Sequence, residues 1–293
     1  MNGIKWTKLN WIFFTISALF ILPGVYSLVR WGLELSVDFT GGTLLEISAD
    51  GLNQDGIAEL INGKGLSLKS IQSSGDKSLL LRFDSLEEAS KDDLLNTINE
   101  TNGSLPEVVR WESLGPALGQ ELLTKTGISI LLAILVILVY INLQFKNRAF
   151  GVCAVLAMLH DSLILLGSFS LLGHFFGVEV DSLFVTAVLT ILSFSVHDTV
   201  VVYDRIRELS RINPKMSFEE ISDLAISQTL VRSINNSLTI IFMLIALVWL
   251  GGETIRNFAL ALLIGTVAGT YSSTFTAVPL LVVWQKAFRK RWK

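Results

Sequence analysis

Three aspartates stand in or beside long apolar stretches: Asp161, Asp181 and Asp198. A carboxylate facing lipid at the middle of a membrane helix costs about 3 kcal/mol on insertion scales, so such a residue faces a bundle interior and by default marks a route for protons or ions. Asp198 is the most telling, within Ser195-Val196-His197-Asp198-Thr199-Val200-Val201-Val202-Tyr203-Asp204-Arg205-Ile206-Arg207-Glu208. Arg232 opens the following apolar stretch, at a depth that allows an ion pair with Asp198. Burial disfavours an ionised carboxylate, and an adjacent guanidinium favours it. Motion that separates such a pair promotes proton uptake, and its return promotes release. One charge carried through the membrane field is worth about 2.3 kcal/mol per 100 mV. The alternative is that the pair merely locks two helices together.

His160-Asp161 lies near the middle of another apolar stretch and reads equally as a proton relay or as an interhelical hydrogen bond. His197 is either a relay or a hydrogen-bonded packing residue. Asp181 sits where an N-cap is expected. Asp204, Arg205, Arg207 and Glu208 read as solvated topology signals at a membrane boundary. His160, His174 and His197 lack the i, i+4 spacing of metal ligands. Cys153 is the only cysteine, which excludes an intramolecular disulfide or a thiolate cluster. No metal, cofactor or enzyme chemistry is expected, and any energy source would be a proton gradient.

These residues need a membrane scaffold. The 293-residue chain is 51% hydrophobic, which excludes a disordered protein and argues against an ordinary soluble one. Stretches long enough to span a bilayer occur at about 9–29, 126–143, 150–172, 183–203, 233–250 and 258–284. The fold class expected is a polytopic α-helical membrane protein of six transmembrane helices. The first stretch is too long for a signal-peptide core and lacks a cleavage pattern, so it reads as an uncleaved helix. With both termini in the cytoplasm, the short inner segments hold thirteen lysines and arginines, from Lys5 to Lys293. The two short outer loops, 173–182 and 251–257, hold only Arg256. That asymmetry obeys the positive-inside rule, and residues 285–293 form a basic cytoplasmic tail. The net charge of −3 carries no sign of a nucleic-acid partner.

Residues 30–125 then lie outside the cytoplasm. Strands are expected at 43–47, 68–72, 79–83 and 107–111, with a hairpin turn at 73–76. Helices are expected at 54–62 and 87–100, the second presenting Ala89, Leu94, Leu95 and Ile98. The order β-α-β-β-α-β is ferredoxin-like. Its acidic residues fall on faces expected to be solvated. Two glycine-bearing elements join this domain to the membrane helices: Asp38-Phe39-Thr40-Gly41-Gly42, and Gly115-Pro116-Ala117-Leu118-Gly119. Paired glycines permit unusual backbone angles and suit a tight turn or a hinge. Ala261, Gly265, Gly269, Ser273 and Ala277 form a four-residue seam for close helix packing.

The two joint elements, His160-Asp161, the run from Asp198 to Glu208, Arg232, Gly251-Gly252-Glu253 and Tyr271-Ser272-Ser273 resemble, in order, the SecF family, the smaller half of the SecD–SecF accessory pair of the bacterial Sec translocase. The likeness runs from about residue 5 to 285. It implies half of a resistance-nodulation-division-type transporter in the bacterial cytoplasmic (inner) membrane. Such a protein pairs with SecD, engages the SecYEG channel, and uses the proton gradient to complete preprotein export after the ATP-driven step of SecA. The family's proton-pathway aspartate maps onto Asp198, and its arginine onto Arg232. The chain departs from the pattern at His197, commonly Asn, and at Ser233-Ile234-Asn235-Asn236-Ser237, where Thr and a Thr-Ser segment are common. Three other readings stand beside this one. A proton-coupled small-molecule exporter of related fold has little room for a substrate funnel. An intramembrane aspartyl protease using Asp161 and Asp198 lacks the Gly-x-Gly-Asp signature. The third is a passive scaffold.

Overall fold

The computed structural model describes residues 4–48, 54–74, 78–145 and 147–288. It divides into two units, one of residues Leu35–Ile128 and one of Met1–Glu34 with Ser129–Lys293.

In the smaller unit a short helix α2 (Val37–Thr40) leads into β1 (Gly42–Ser48), α3 (Gln54–Gly63), β2 (Leu68–Ser74), β3 (Ser78–Phe83), α4 (Glu88–Asn102) and β4 (Val108–Leu114). The sheet order is β2-β3-β1-β4 with every neighbouring pair antiparallel, which is the ferredoxin-like arrangement. Alternation places Leu45 and Ile47 of β1 and Leu79, Leu81 and Phe83 of β3 on one face. There they pack with Ile57 and Ile61 of α3 and Leu94, Leu95 and Ile98 of α4. Leu86 completes this core, whereas Ala89, expected on the apolar face of α4, is exposed. Glu46 corrects the expectation of solvated carboxylates. It is 2% exposed on a central strand, opposite Leu80 and Arg110, and its Oε1 has no hydrogen-bond partner among the described residues. Part of the hairpin turn expected at 73–76 lies outside the described residues.

The larger unit holds the membrane helices. A 3₁₀ turn (Trp6–Leu9) precedes α1 (Asn10–Arg30); then come α5 (Pro116–Gln144), α6 (Arg148–Phe176), α7 (Ser182–Ile212), α8 (Phe218–Leu250), α9 (Glu253–Phe275) and α10 (Ala277–Phe288). Among the described residues six spans are long and apolar enough to cross a bilayer, the last made of α9 and α10 together. Asp181 caps α7, its Oδ1 accepting from the Phe184 amide at 2.8 Å. Two helices outrun their apolar stretches. α7 continues to Ile212, and α8 starts at Phe218, about four turns before the apolar stretch at 233–250. A capping box fixes that start: the Ser217 hydroxyl accepts from the Glu220 amide and the Glu220 carboxylate accepts from the Ser217 amide. The stretch 258–284, expected as one helix, is two. Pro279 has no amide to donate to the carbonyl of Phe275 and its ring would collide with that group, so the helix stops at Phe275 and restarts at Ala277.

Small residues set the helix crossings. A Cβ on Gly167 of α6 would lie 2.5 Å from the Gly24 Cα of α1, so the two backbones touch. One turn along each helix, the Ser27 and Ser170 hydroxyls meet at 2.7 Å. The seam on α9 faces α7: Gly265 lies against Ile191, and Gly269 against Ser195.

Candidate functional site

Asp198 sits inside the α7 span with 7% of its surface exposed. The Ser233 hydroxyl of α8 donates to its Oδ2 at 2.5 Å. The ion pair with Arg232 that the shared depth allows is not formed. Residues 232 and 233 are successive on a helix and so diverge by about 100°. Ser233 therefore reaches Asp198, and Arg232 is exposed and lines a separate cavity with Arg205, Arg211 and Gln228. His197 is exposed, about 100° around α7 from its buried neighbour Asp198. The cluster is thus one buried carboxylate with one hydroxyl donor, and a guanidinium and an imidazole close in sequence but turned elsewhere.

Asp161 has a different environment. It is 1% exposed on α6, and its Oδ2 accepts from the Ser195 hydroxyl of α7 at 2.5 Å and the Ser272 hydroxyl of α9 at 2.6 Å. Its Oδ1 meets His160 Nδ1 at 2.9 Å, and His160 Nε2 meets the Ser17 hydroxyl of α1 at 2.9 Å. The tautomer that satisfies both contacts carries its proton on Nδ1, so Nε2 accepts from Ser17. Ser17 in turn lies 3.5 Å from the Thr276 hydroxyl, at the break between α9 and α10. Through one carboxylate and one imidazole, α1, α6, α7 and α9 are joined in a buried interior. Among the described residues no side chain bonds to both Asp161 and Asp198.

Ser195, Ser272, Ser17 and Thr276 were not singled out for this role in the sequence. The available signal was hydroxyl residues inside apolar helices, which bond across helix interfaces. Which carboxylate each would meet depends on crossings that helical spacing does not give.

The two joint elements pack on each other. Gly41 (φ +69°) and Gly42 (φ +119°) adopt backbone conformations that glycine alone tolerates well. A Cβ on Gly41 would lie 2.5 Å from the Pro116 Cα, and one on Gly119 would lie 2.8 Å from the Gly41 nitrogen and 2.9 Å from the Phe39 oxygen. Gly115 has open space around it. Asp38 follows Ser36, whose hydroxyl accepts from its amide and caps α2. Close backbone contact accounts for glycine at 119, and contact together with a left-handed backbone accounts for it at 41.

Residues 94–287 match the family model described as protein export membrane protein SecD/SecF, C-terminal, and residues 27–51 match the SecD/SecF GG motif. The chain is 42% identical over 299 residues to the protein translocase subunit SecF of Thermobaculum terrenum, covering 96% of this chain and 93% of that one. It is 39% identical over 291 residues to the SecF subunit of Anaerolinea thermophila, covering 97% and 94%. The crystal structure of SecDF from Thermus thermophilus, titled a translocon-associated membrane protein, superposes with a TM-score of 0.87 at 29% identity. That match covers 97% of this chain and 39% of the solved one, so the chain spans well under half the length of SecDF. Six membrane spans, a ferredoxin-like domain between the first two, the glycine joint and matched relatives over nearly the whole length all agree: the chain belongs to the SecD/SecF family of protein-export membrane proteins, among its SecF subunits.

Proposed function

We propose that this chain is a proton-coupled accessory subunit of the Sec protein translocase. Paired with SecD, it draws on the proton gradient to complete preprotein translocation after the ATP-driven step of SecA. The observation that carries the coupling is Asp198: a buried carboxylate in a membrane helix, bonded to the hydroxyl of Ser233, with Arg232, which has no carboxylate partner among the described residues, next to that serine. Burial in low dielectric disfavours an ionised carboxylate in general, and an approaching guanidinium favours it. Rotation of α8 that exchanges Ser233 for Arg232 at Asp198 would perform both halves of that cycle. In this reading His197, exposed at the neighbouring position of α7, hands protons towards Asp198 when the helix moves. Asp161 and His160 serve the path as the fixed frame against which α8 moves.

The distribution of basic residues supports cytoplasmic N- and C-termini in the bacterial cytoplasmic membrane, with the ferredoxin-like domain on the far side. There it would meet preprotein emerging from the SecYEG channel. The names of the relatives favour protein export over a small-molecule exporter of related fold. The work is conformational and needs no catalytic residue.

The test is gradient-dependent completion of preprotein export in vesicles carrying SecD, the channel and either the native chain or Asp198→Asn, with assembly confirmed by co-purification. Loss of the gradient's benefit with assembly intact supports the proposal. A persisting benefit makes Asp198 a helix contact and removes the coupling role from this site.

A further inference from the structure

Between the arms of the α7–α8 hairpin lies a cavity of about 800 Å³, far more than the ~30 Å³ of one water. Four guanidiniums line it (Arg205, Arg207, Arg211 and Arg232) against two carboxylates, Asp204 and Glu208. Both carboxylates are already engaged. Glu208 pairs with Arg205, and Asp204 with Arg207 at 2.7 Å. Arg205 is further held by the Gln228 side chain at 2.7 Å, and Arg207 by the Gln144 carbonyl and the Phe145 ring. Arg211 and Arg232 have no carboxylate within ion-pair distance among the described residues. Four positive groups less two negative leave two charges, both on exposed planar forks suited to a phosphate.

We infer that this cavity binds the phosphate headgroup of an anionic phospholipid, gripped by Arg211 and Arg232. Free phosphate offers the same oxygens, but the surroundings favour a lipid. From the level of the cavity, exposed apolar side chains run along α8 at helical spacing on the face next to the one Arg232 occupies: Val231 (66% exposed), Ile234, Leu238 and Phe242 (66%). They form a track for an acyl chain within the bilayer. In the orientation proposed above, the headgroup lies in the cytoplasmic leaflet, where anionic lipid and basic helix ends meet. A phosphate there holds Arg232 away from Asp198, one residue from Ser233, so lipid charge would bias the coupling switch. That consequence rests on the proposed function; the binding does not.

The experiment is native mass spectrometry of the purified complex of this chain with its SecD partner, delipidated and then titrated with phosphatidylglycerol or phosphatidylcholine. Arg211→Gln, Arg232→Gln, their double variant and an outer-loop control, Arg256→Gln, are compared, with co-purification of the partner as the check on folding. Expected is retention of phosphatidylglycerol over phosphatidylcholine, weakened about tenfold by each hairpin substitution, since a lost charge-assisted contact is worth about that factor, and unchanged in the control. Equal retention of both lipids, or an unchanged double variant, overturns the site. Full displacement of phosphatidylglycerol by millimolar inorganic phosphate assigns it to free phosphate and overturns the lipid reading. Should the variants fail to assemble, photo-crosslinking of the native complex with azido-phosphatidylglycerol decides. Adducts at 201–212 and 228–242 support the site. Adducts confined to other helices, as expected if a segment of the partner fills the cavity, overturn it. Binding is read without any gradient, so this inference and the coupling proposal can fail separately.

Discussion

The Ser233 hydroxyl reaches across from α8 to Asp198 on α7 at 2.5 Å, while Arg232, the preceding residue, turns into the hairpin cavity. Both residues arrive at this level because α8 begins at Phe218 and carries them on one continuous helix. A rotation of α8 of about 100°, the angle between successive residues, separates the two arrangements. Asp198 thus stands at a position where either a hydroxyl or a cation can be presented to it by the same helix.

Ser233→Ala is therefore expected to leave assembly with the partner intact and to lower gradient-dependent export to a level between native and Asp198→Asn. The lost hydrogen bond to the buried Asp198 side chain is worth about 1 kcal/mol. Ser233→Thr retains the hydroxyl and should restore export. Equal defects in the Ala and Thr variants would show that the hydroxyl is not what Asp198 needs.

Asp161 carries the opposite expectation. Replacing it with Ala leaves the Ser195 hydroxyl and the His160 imidazole buried without that acceptor and leaves the Ser272 hydroxyl only the Gly269 carbonyl at 3.3 Å, at a cost of about 3–5 kcal/mol. Ser195→Ala or Ser272→Ala alone should cost about 1 kcal/mol each, because the other donor stays on the same oxygen. The double variant should lose more than the sum. Thermal unfolding followed by tryptophan fluorescence ranks the four. An Asp161→Ala protein as stable as either single serine variant would contradict the anchoring role.

The glycine joint offers a comparison within one segment. Gly119→Ala forces a methyl to within 3 Å of the Gly41 and Phe39 backbone, where no flexible side chain can give way. Overpacking of that kind costs about 1–3 kcal/mol. Gly115→Ala meets nothing within 4 Å and should be close to neutral. A melting series that finds both neutral would mean that the two elements part readily, as a hinge requires.

Much of this architecture can be read from the chain because the governing periodicities are strong. Alternation in 43–47 and 79–83 and helical spacing at Leu94, Leu95 and Ile98 identify the ferredoxin-like elements, and apolar length identifies the spans. The reading weakens where two elements must meet. Arg232 and Asp198 share a depth, yet azimuth decides that Ser233 takes the contact, and azimuth depends on packing. Pro279 is visible as a helix breaker, but an apolar run through it conceals the stop at Phe275. Ser272 and Ser195 lie far apart in the chain and become one site only where α9 packs on α7, at a crossing in which a Cβ on Gly265 would overlap Ile191.

The same dependence of polar contacts on backbone approach yields a coupling that can be measured. Gly167 and Gly24 hold α1 against α6, and Ser27–Ser170 and His160–Ser17 bridge the same pair of helices above and below that crossing. Gly167→Ala pushes α1 outward and stretches both bridges, so it is expected to cost more than the about 1 kcal/mol of Ser17→Ala alone. Once the helices have parted, removing the Ser17 hydroxyl should cost little more. The double variant is then less destabilised than the sum of the singles, by about 0.5–1 kcal/mol. Strictly additive losses would mean that the His160–Ser17 bond survives the displacement, and that the polar network sets the spacing of α1 on α6 independently of the glycine crossing.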